Sequence, residues 1–485
     1  MYRSTRSGIH VRPEDALVKG IAGDGGLFVP VSLDPTRLDR LLSAPDYVSL
    51  TRDVFALFLG DGLTDASLGV IGKAYGTGRF VPEPVTLGRY GEDVMMNLWH
   101  GPTFAFKDLA LSILPGLMHT ARMRLGNTRR TVVLTATSGD TGSATLDGFS
   151  RSDDTDVIVL YPKGGVSAFQ ERQMLYYQGK RAHVVAVEGD FDDCQRIVKE
   201  AFSTIRRDDV NLTSANSINI GRIVPQIVYH VWSYRTLVDR NLITSGDQVD
   251  VVVPTGNFGN ILSAWYARTL GVPIRTFVVA SNDNDVLTRF FKTGRYDAGG
   301  PLVKTISPSM DILVSSNLER MLFEASGRDG VTVSRLMEDL RTKRSFTCSK
   351  GLMDNLRMFE GVSVSEEETR MTIRKTYEKM GLVLDPHTAV AVRALEKHRG
   401  SFPRSRPAII LSTASPFKFA ASVLDALGQK TTGDPMTDIL ALKDMTKTDP
   451  DPRMSACLSN QNKPITVSKD NALDLIGRLV GGQHV

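Results

Sequence analysis

A chain of 485 residues exceeds the size at which one hydrophobic core keeps growing, so two or three domains with room for a deep site between them are expected. Its 58 lysines and arginines exceed its 54 aspartates and glutamates by only +4, spread along the chain, which excludes the basic stripe of a nucleic-acid-binding protein and suits a small anionic substrate. Cys194, Cys348 and Cys457 lie far apart and are odd in number, which argues against a disulfide framework or a thiolate metal site and for a reducing compartment.

The start, MYRSTRSGIHVRPEDAL, lacks the apolar stretch of a secretory signal, and no apolar run approaches the ~20 residues of a membrane span, so a cytoplasmic protein without a membrane partner is expected. The first ninety residues are otherwise irregular and read as an appended segment. From Asn97, NLWHGPTFAFKD sets one lysine, Lys107, behind a proline turn and three rings, Trp99, Phe104 and Phe106. Leu109, Ile113, Leu114 and Leu117 follow at helical spacing, so Lys107 opens a helix with one buried face. Desolvation among rings leaves an amine partly neutral and nucleophilic, as a carbonyl-bound imine requires. Taken by itself, Phe-Lys-Asp is more often an exposed first-turn lysine, and only the later junctions overturn that reading.

Short β-branched runs then recur: TVVLT at Thr131, DVIVLY at Asp156, HVVAVEG at His183, VDVVVP at Val249, IRTFVVA at Ile274 and AIILST at Ala408. Helical patterns separate them, which predicts parallel strands with crossover helices, an α/β class whose ligands sit where strands end. After the first of these runs, TATSGDTG brings Ser138, Asp140 and Thr141 to a helix start, a place suited to a carboxylate or phosphate; an ordinary cap with glycine turns has the same composition. After VDVVVP comes PTGNFGN, where Gly256 and Gly259 let consecutive amides wrap phosphate oxygens. That loop is neither a GxGxxG fingerprint nor a GxxxxGK[ST] loop, which lowers both nucleotide readings. The stretch from Arg341 to Glu368 is charged, with few strand signals, and is expected to form surface helices or a lid-like excursion. From Thr431 onward the chain turns polar and reads as a second appended segment. The eight histidines are scattered with no HExxH pair, so no metal centre is expected.

In order, HGPTFAFKD, TATSGDTGSA, NSINIGRI, VVPTGNFGNILSA, DPHTAVAV and LSTASPFKF, together with GDGGLFVP near the start, resemble threonine synthase, in the longer branch found in fungi and many bacteria. The likeness runs over roughly residues 5–428. It implies a fold type II, tryptophan synthase β-like α/β enzyme that uses pyridoxal 5'-phosphate. The implied division is an N-terminal domain over 1–90, a catalytic core over 91–430 and a C-terminal extension over 431–485. A smaller α/β subdomain, roughly 125–215, is inserted in the core, with the active site between the two parts.

Carried over residue by residue, the resemblance implies that Lys107 joins the cofactor aldehyde as an imine and later shuttles protons. Gly256, Asn257, Phe258, Gly259 and Asn260 cradle the cofactor phosphate, and Thr413 meets the pyridine nitrogen, leaving it essentially neutral. Ser138, Asp140 and Thr141 hold the substrate carboxylate or line the cofactor face. Ser217, Asn219 and Arg222 are candidates for the substrate phosphate, where an arginine fork matches the oxygens; a surface arginine is the other reading of Arg222. His100 and His387 are expected to support loops. The implied reaction converts O-phospho-L-homoserine and water into L-threonine and phosphate by γ-elimination and β-hydration. A monomer or homodimer is expected, with the smaller domain closing to exclude stray water.

Two departures stand out. The family's LSTAHPAKF is LSTASPFKF here, with Ser415 for histidine and Phe417 for alanine, and Asn260 stands where the usual loop has Asp. They keep open a paralogue acting on another phosphorylated or phosphonate amino acid. A silent homologue is opposed by the intact Lys107, glycine cradle and Thr413.

Overall fold

The computed structural model describes residues 1–33, 38–76, 78–152, 154–401 and 406–483, and two sheets organise it. The larger runs Phe359–Ser363, Ile274–Ser281, Val249–Pro254, Ala408–Ser412, Asp93–Asn97, Thr86–Tyr90, parallel throughout except for the last strand. The smaller is fully parallel, in the order Ile465–Ser468, Ala182–Glu188, Thr155–Pro162, Arg130–Ala136, Val210–Thr213.

Both sheets are covered on both faces, which explains why their strands read as continuous apolar runs rather than alternating ones. In the larger sheet Val251, Val253, Ile409 and Leu411 face one way, into a core shared with helices Val224–Asp239 and Gly259–Thr269. Val252, Ala408 and Ile410 face the other way, against helix Pro386–Ser401. In the smaller sheet Val132, Leu134, Val185 and Val187 pack beneath helices Phe191–Thr204 and Ala472–Val480. Val133, Val157, Val159 and Val184 pack against helices Asp140–Phe149 and Ala168–Tyr176.

Three expectations need correction. The N-terminal residues are no appendage: Tyr2, Leu17, Phe28 and Val29 lie in the same core as the larger sheet, under helix Tyr47–Leu59. The polar tail from Thr431 is built in as well, because Ile465–Ser468 forms an edge strand of the smaller sheet and Ala472–Val480 caps its face. An edge strand needs few apolar side chains, so its sequence signal is weak. The same reason hid Phe359–Ser363, the outer strand of the larger sheet, inside the charged stretch expected to form surface helices or a lid-like excursion, where helix Lys350–Asp354 does form; there Glu360 is paired with His398 on the covering helix.

Candidate active site

The strand Asp93–Asn97 delivers the chain to the loop that carries Lys107. That loop is fastened at both ends. Thr103 donates its amide (2.8 Å) and hydroxyl (2.6 Å) to the carboxylate of Asp108, and Phe104 holds a left-handed backbone, φ 61°, with its ring buried. The amide of Phe106 donates to the Thr413 carbonyl (2.8 Å) and that of Ser415 to the Phe104 carbonyl (3.0 Å), so the loop is zipped to the end of the strand Ala408–Ser412. Lys107 is left just ahead of helix Asp108–Leu111, 9% exposed, with its amine 4.7 Å from the centre of the Phe106 ring.

Burial pushes this amine below the usual lysine range; Asp140 opposes the shift, and Lys418 and Arg222 add to it. The Lys107 Nζ lies 3.3 Å from Asp140 Oδ2 and 3.3 Å from Ser309 Oγ. The other oxygen of Asp140 receives Gln170 Nε2 (2.9 Å) and pairs with Lys418 Nζ (3.0 Å). Burial alone would raise the Asp140 carboxyl, but Lys418, Lys107 and His387 outweigh it and hold the group well below the carboxylate range. An ionised carboxylate repels another. The Asp140 side chain is thus the counter-ion of two lysines, while the residue still lines the cavity, as the expectation that it holds the substrate carboxylate or lines the cofactor face allows.

Two amide cradles face this amine. At the first, Thr137 Oγ1 accepts the amides of Gly139 and Gly142 (2.9 Å each), and Gly139 takes φ 128° at a place where a side chain would also collide with Gln170. Among the described residues the amides of Ser138, Asp140 and Thr141 find no protein acceptor, and all three residues line the cavity. At the second, Thr255 pairs with Ala280 across the larger sheet, the loop turns at Gly256, and helix Gly259–Thr269 begins. Phe258 takes φ 62°, unusual for a ring-bearing residue, and is held there by burial against Phe291 (5.9 Å) and Phe359 (5.7 Å). Among the described residues the amides of Gly256, Asn257, Phe258, Gly259 and Asn260 likewise have no protein acceptor, and the buried Nδ2 of Asn260 has no partner. Such a row of free donors at a helix start suits an anion. Ser309 joins the cradle to the amine: its backbone oxygen sits where a side chain on Gly256 would stand, 2.5 Å away, while its hydroxyl touches Lys107.

The remaining predicted residues divide. Ser217 lines the cavity and accepts a hydrogen bond from Asn317 (3.1 Å). Arg222 also lines it and is buried, not a surface residue; it donates to the Ala215 carbonyl (2.6 Å), its Nε has no partner, and burial lowers it to about 10. Asn219 does not reach the cavity. It caps the turn Ile220–Arg222 through the Gly221 amide (2.9 Å) and donates to the Leu17 carbonyl (2.9 Å), a structural tie to the N-terminal segment. Thr413 lines the cavity, whereas Ser415 and Phe417 do not. His100 supports a loop as expected, its Nε2 2.8 Å from Thr86, and burial lowers it to about 4. His387 is nearer the chemistry than expected: its Nδ1 lies 2.9 Å from Asp385 and its Nε2 accepts the Ser309 amide (3.2 Å). Lys418, Ser309 and Gln170 escaped the sequence reading. Lys418 stood inside the LSTASPFKF string and could have been found there; Ser309 lies in the short 3₁₀ turn Pro308–Met310, which carries no signal of its own.

All of this opens into one cavity of about 1570 Å³, lined by both sheets' loop ends and by Val18–Gly23 of the N-terminal segment. A buried lysine of lowered basicity opposite a glycine cradle with free amides fits an aldehyde cofactor that carries a phosphate. Residues 89–413 match the family model described as pyridoxal-phosphate dependent enzyme, so the chain is an α/β enzyme of fold type II whose cofactor is pyridoxal 5'-phosphate. Residues 1–75 match the threonine synthase N terminus and 388–479 the threonine synthase C-terminal model. The chain is 39% identical to threonine synthase of Pseudomonas aeruginosa over 86% of its own length and 88% of the relative's. It is also 39% identical to threonine synthase-like 1 of Homo sapiens, covering 88% of this chain but 60% of that relative, so it spans less than two thirds of such longer relatives. The crystal structure of PLP-bound threonine synthase from Brucella melitensis superposes with a TM-score of 0.86 at 32% identity, covering 100% of this chain and 99% of the other. The chain belongs to the threonine synthase family.

Proposed function

We propose that this protein is a carbon–oxygen lyase converting O-phospho-L-homoserine and water into L-threonine and phosphate. The observation that carries the reading is the convergence, in one cavity, of a lysine of lowered basicity, two separate sets of unpaired amides and a buried arginine with an unpaired Nε. One anion cradle would suffice for the cofactor. The rest suit a substrate that is itself doubly anionic, with a carboxylate and a phosphate.

In this assignment Gly256, Asn257, Phe258, Gly259 and the amide nitrogen of Asn260 hold the cofactor phosphate, Lys107 its aldehyde and Thr413 its ring nitrogen. When bound, the cofactor supplies an electron sink that acidifies the carbons next to the substrate's amino group. Ser138 and Thr141 bind the substrate carboxylate. Arg222, with Ser217 beside it, binds the phosphate, as a buried guanidinium with a free N–H does well. Lys107 would move the protons at the substrate carbons, and a depressed amine serves that better than an ordinary lysine. Ser309 and Asp140, both within 3.3 Å, keep it in place. Closure of the smaller-sheet part over the cavity would exclude stray water. A cytoplasmic site of action belongs to the same proposal: the cysteines are free, and among the described residues no helix is long and apolar enough to cross a membrane.

Product analysis with O-phospho-L-homoserine tests the reading. Equal yields of phosphate and threonine are expected. Release of phosphate with 2-oxobutanoate as the main organic product, or no release at all, would overturn it.

A further inference from the structure

The proposed reaction leaves unused the buried amine of Lys418, which stands behind Asp140. It lies in the short 3₁₀ turn Pro416–Phe419 behind the cofactor strand and is fully buried, between Phe417 and Phe419, whose rings join the core that contains Phe104 and Phe169. It donates to the Thr103 carbonyl (2.7 Å) and pairs with Asp140 Oδ1 (3.0 Å). Lys107 holds the opposite oxygen of the same carboxylate. Two lysines therefore share one buried anion.

We propose that Lys418 is a positioning residue that neutralises Asp140 whenever Lys107 gives up its proton, so that Lys107 works as a free amine without leaving a bare carboxylate in the core. This rests on the reading of Lys107 as the cofactor lysine. Two protonation states of the site differ in how their charge is balanced. With Lys107 protonated, Asp140 serves both lysines. With Lys107 neutral, the Asp140–Lys418 pair remains balanced. Remove Lys418, and a neutral Lys107 would strand an uncompensated buried charge, the costliest arrangement such a site can adopt. Lys107 would then keep its proton.

Among the described residues no cation other than these two lysines touches Asp140, and His387 helps hold it ionised only from a distance. Arg222, on the turn Ile220–Arg222, is cationic but does not touch Asp140. His387, at the start of helix Pro386–Ser401, has its Nδ1 on Asp385 and its Nε2 on the Ser309 amide. Asp108 is satisfied by Thr103, and burial raises it to about 6. Asp311, beyond Ser309, accepts from Asn282 (2.8 Å), Asn284 (3.1 Å) and Thr305 (2.7 Å). The shifts agree with the geometry, since Lys418 is among the groups that lower Lys107 and is the leading charge that lowers Asp140.

The test is cofactor capture by the full-length apoprotein, followed as visible absorbance across a pH series and fixed with borohydride for peptide mapping. In wild type the label maps to Lys107. Lys418→Met should move the pH midpoint of capture upward by about one unit or more, roughly tenfold slower capture at neutral pH, while Lys418→Arg stays near wild type. Asp140→Asn should move the midpoint the other way, and it probes the same charge balance should Lys418→Met fail to fold. A wild-type midpoint in Lys418→Met, an Arg variant as defective as the Met one, or an alkaline shift in Asp140→Asn each overturns the proposal. A wild-type protein that captures the cofactor elsewhere than Lys107 overturns the underlying reading instead.

Discussion

Gly256→Ala isolates the cofactor cradle from the rest of the fold. A β-carbon at this position would stand 2.5 Å from the Ser309 carbonyl oxygen, about half an ångström closer than real contacts of that kind allow. The obstacle is backbone and cannot rotate away. Nor can its turn slide freely, because Asp311 two residues on is fixed by Asn282, Asn284 and Thr305, and the Ser309 amide is held by His387. One methyl group forced into a packed site typically costs about 1–3 kcal/mol. The cradle relaxes most easily when nothing rests in it, so the strain falls mainly on the cofactor-bound state. At about 1.4 kcal/mol per factor of ten, affinity for pyridoxal phosphate should fall by roughly 5- to 150-fold. Equilibrium titration of the apoprotein by absorbance, with thermal unfolding of apo and bound forms in parallel, reads both quantities. Wild-type affinity in Gly256→Ala, or an equal loss of stability in both forms, would refute the placement of the cofactor phosphate on this loop.

Arg222→Ala should raise KM for the phosphorylated substrate and weaken inhibition by inorganic phosphate by roughly tenfold or more, with the bound-cofactor spectrum unchanged; unaltered phosphate inhibition removes Arg222 from the substrate site. Asn219→Ala should cost about 1–3 kcal/mol of stability, read as a lower urea midpoint, with KM unchanged, since this side chain ties Leu17 to the turn before Arg222 and leaves the cavity alone. A KM effect without a stability effect would reverse that assignment. Burial holds His230 at about 3 and His100 at about 4 in the folded protein, both below the ordinary 6.5. Depressed bases bind protons more readily once unfolded, so folding free energy should be full above pH 6.5 and decline as pH falls toward 4, by up to about 1.4 kcal/mol per pH unit for each histidine. Urea midpoints that stay level across that window would contradict the buried neutral state of these rings.

The central strands and the loops that line the cavity were legible because each has a local signature. VDVVVP and AIILST are apolar at nearly every position since both faces of their sheet are buried, and PTGNFGN needs Gly256 where a side chain would meet backbone. Lys107, with rings and helical spacing around it, stood out only once the junctions TATSGDTG and PTGNFGN were read beside it. Less legible was whatever depends on partners distant in sequence. Within TATSGDTG, Asp140 read only as part of a helix-start anion site, and the counter-ion role of its side chain appears only with Lys418, 278 positions away. Asn219 looked equally functional until Leu17 proved to be its partner. Edge strands such as Phe359–Ser363 and Ile465–Ser468 gave little signal because one neighbour and a partly wet face demand few apolar residues.

The same distinction between local and distant decides what the departures at Ser415 and Phe417 mean. In the string they adjoin Thr413, which made a changed substrate pocket a natural reading. In space the chain turns after Thr413: the Ser415 amide is spent on the Phe104 carbonyl, and the Phe417 ring enters the core behind the lysine loop, with neither residue lining the cavity. The serine in place of a polar ring and the benzyl group in place of a methyl both stand at buried positions, and the added phenylalanine ring packs in that core. What these residues shape is the wall behind Lys418 and the Phe104 turn.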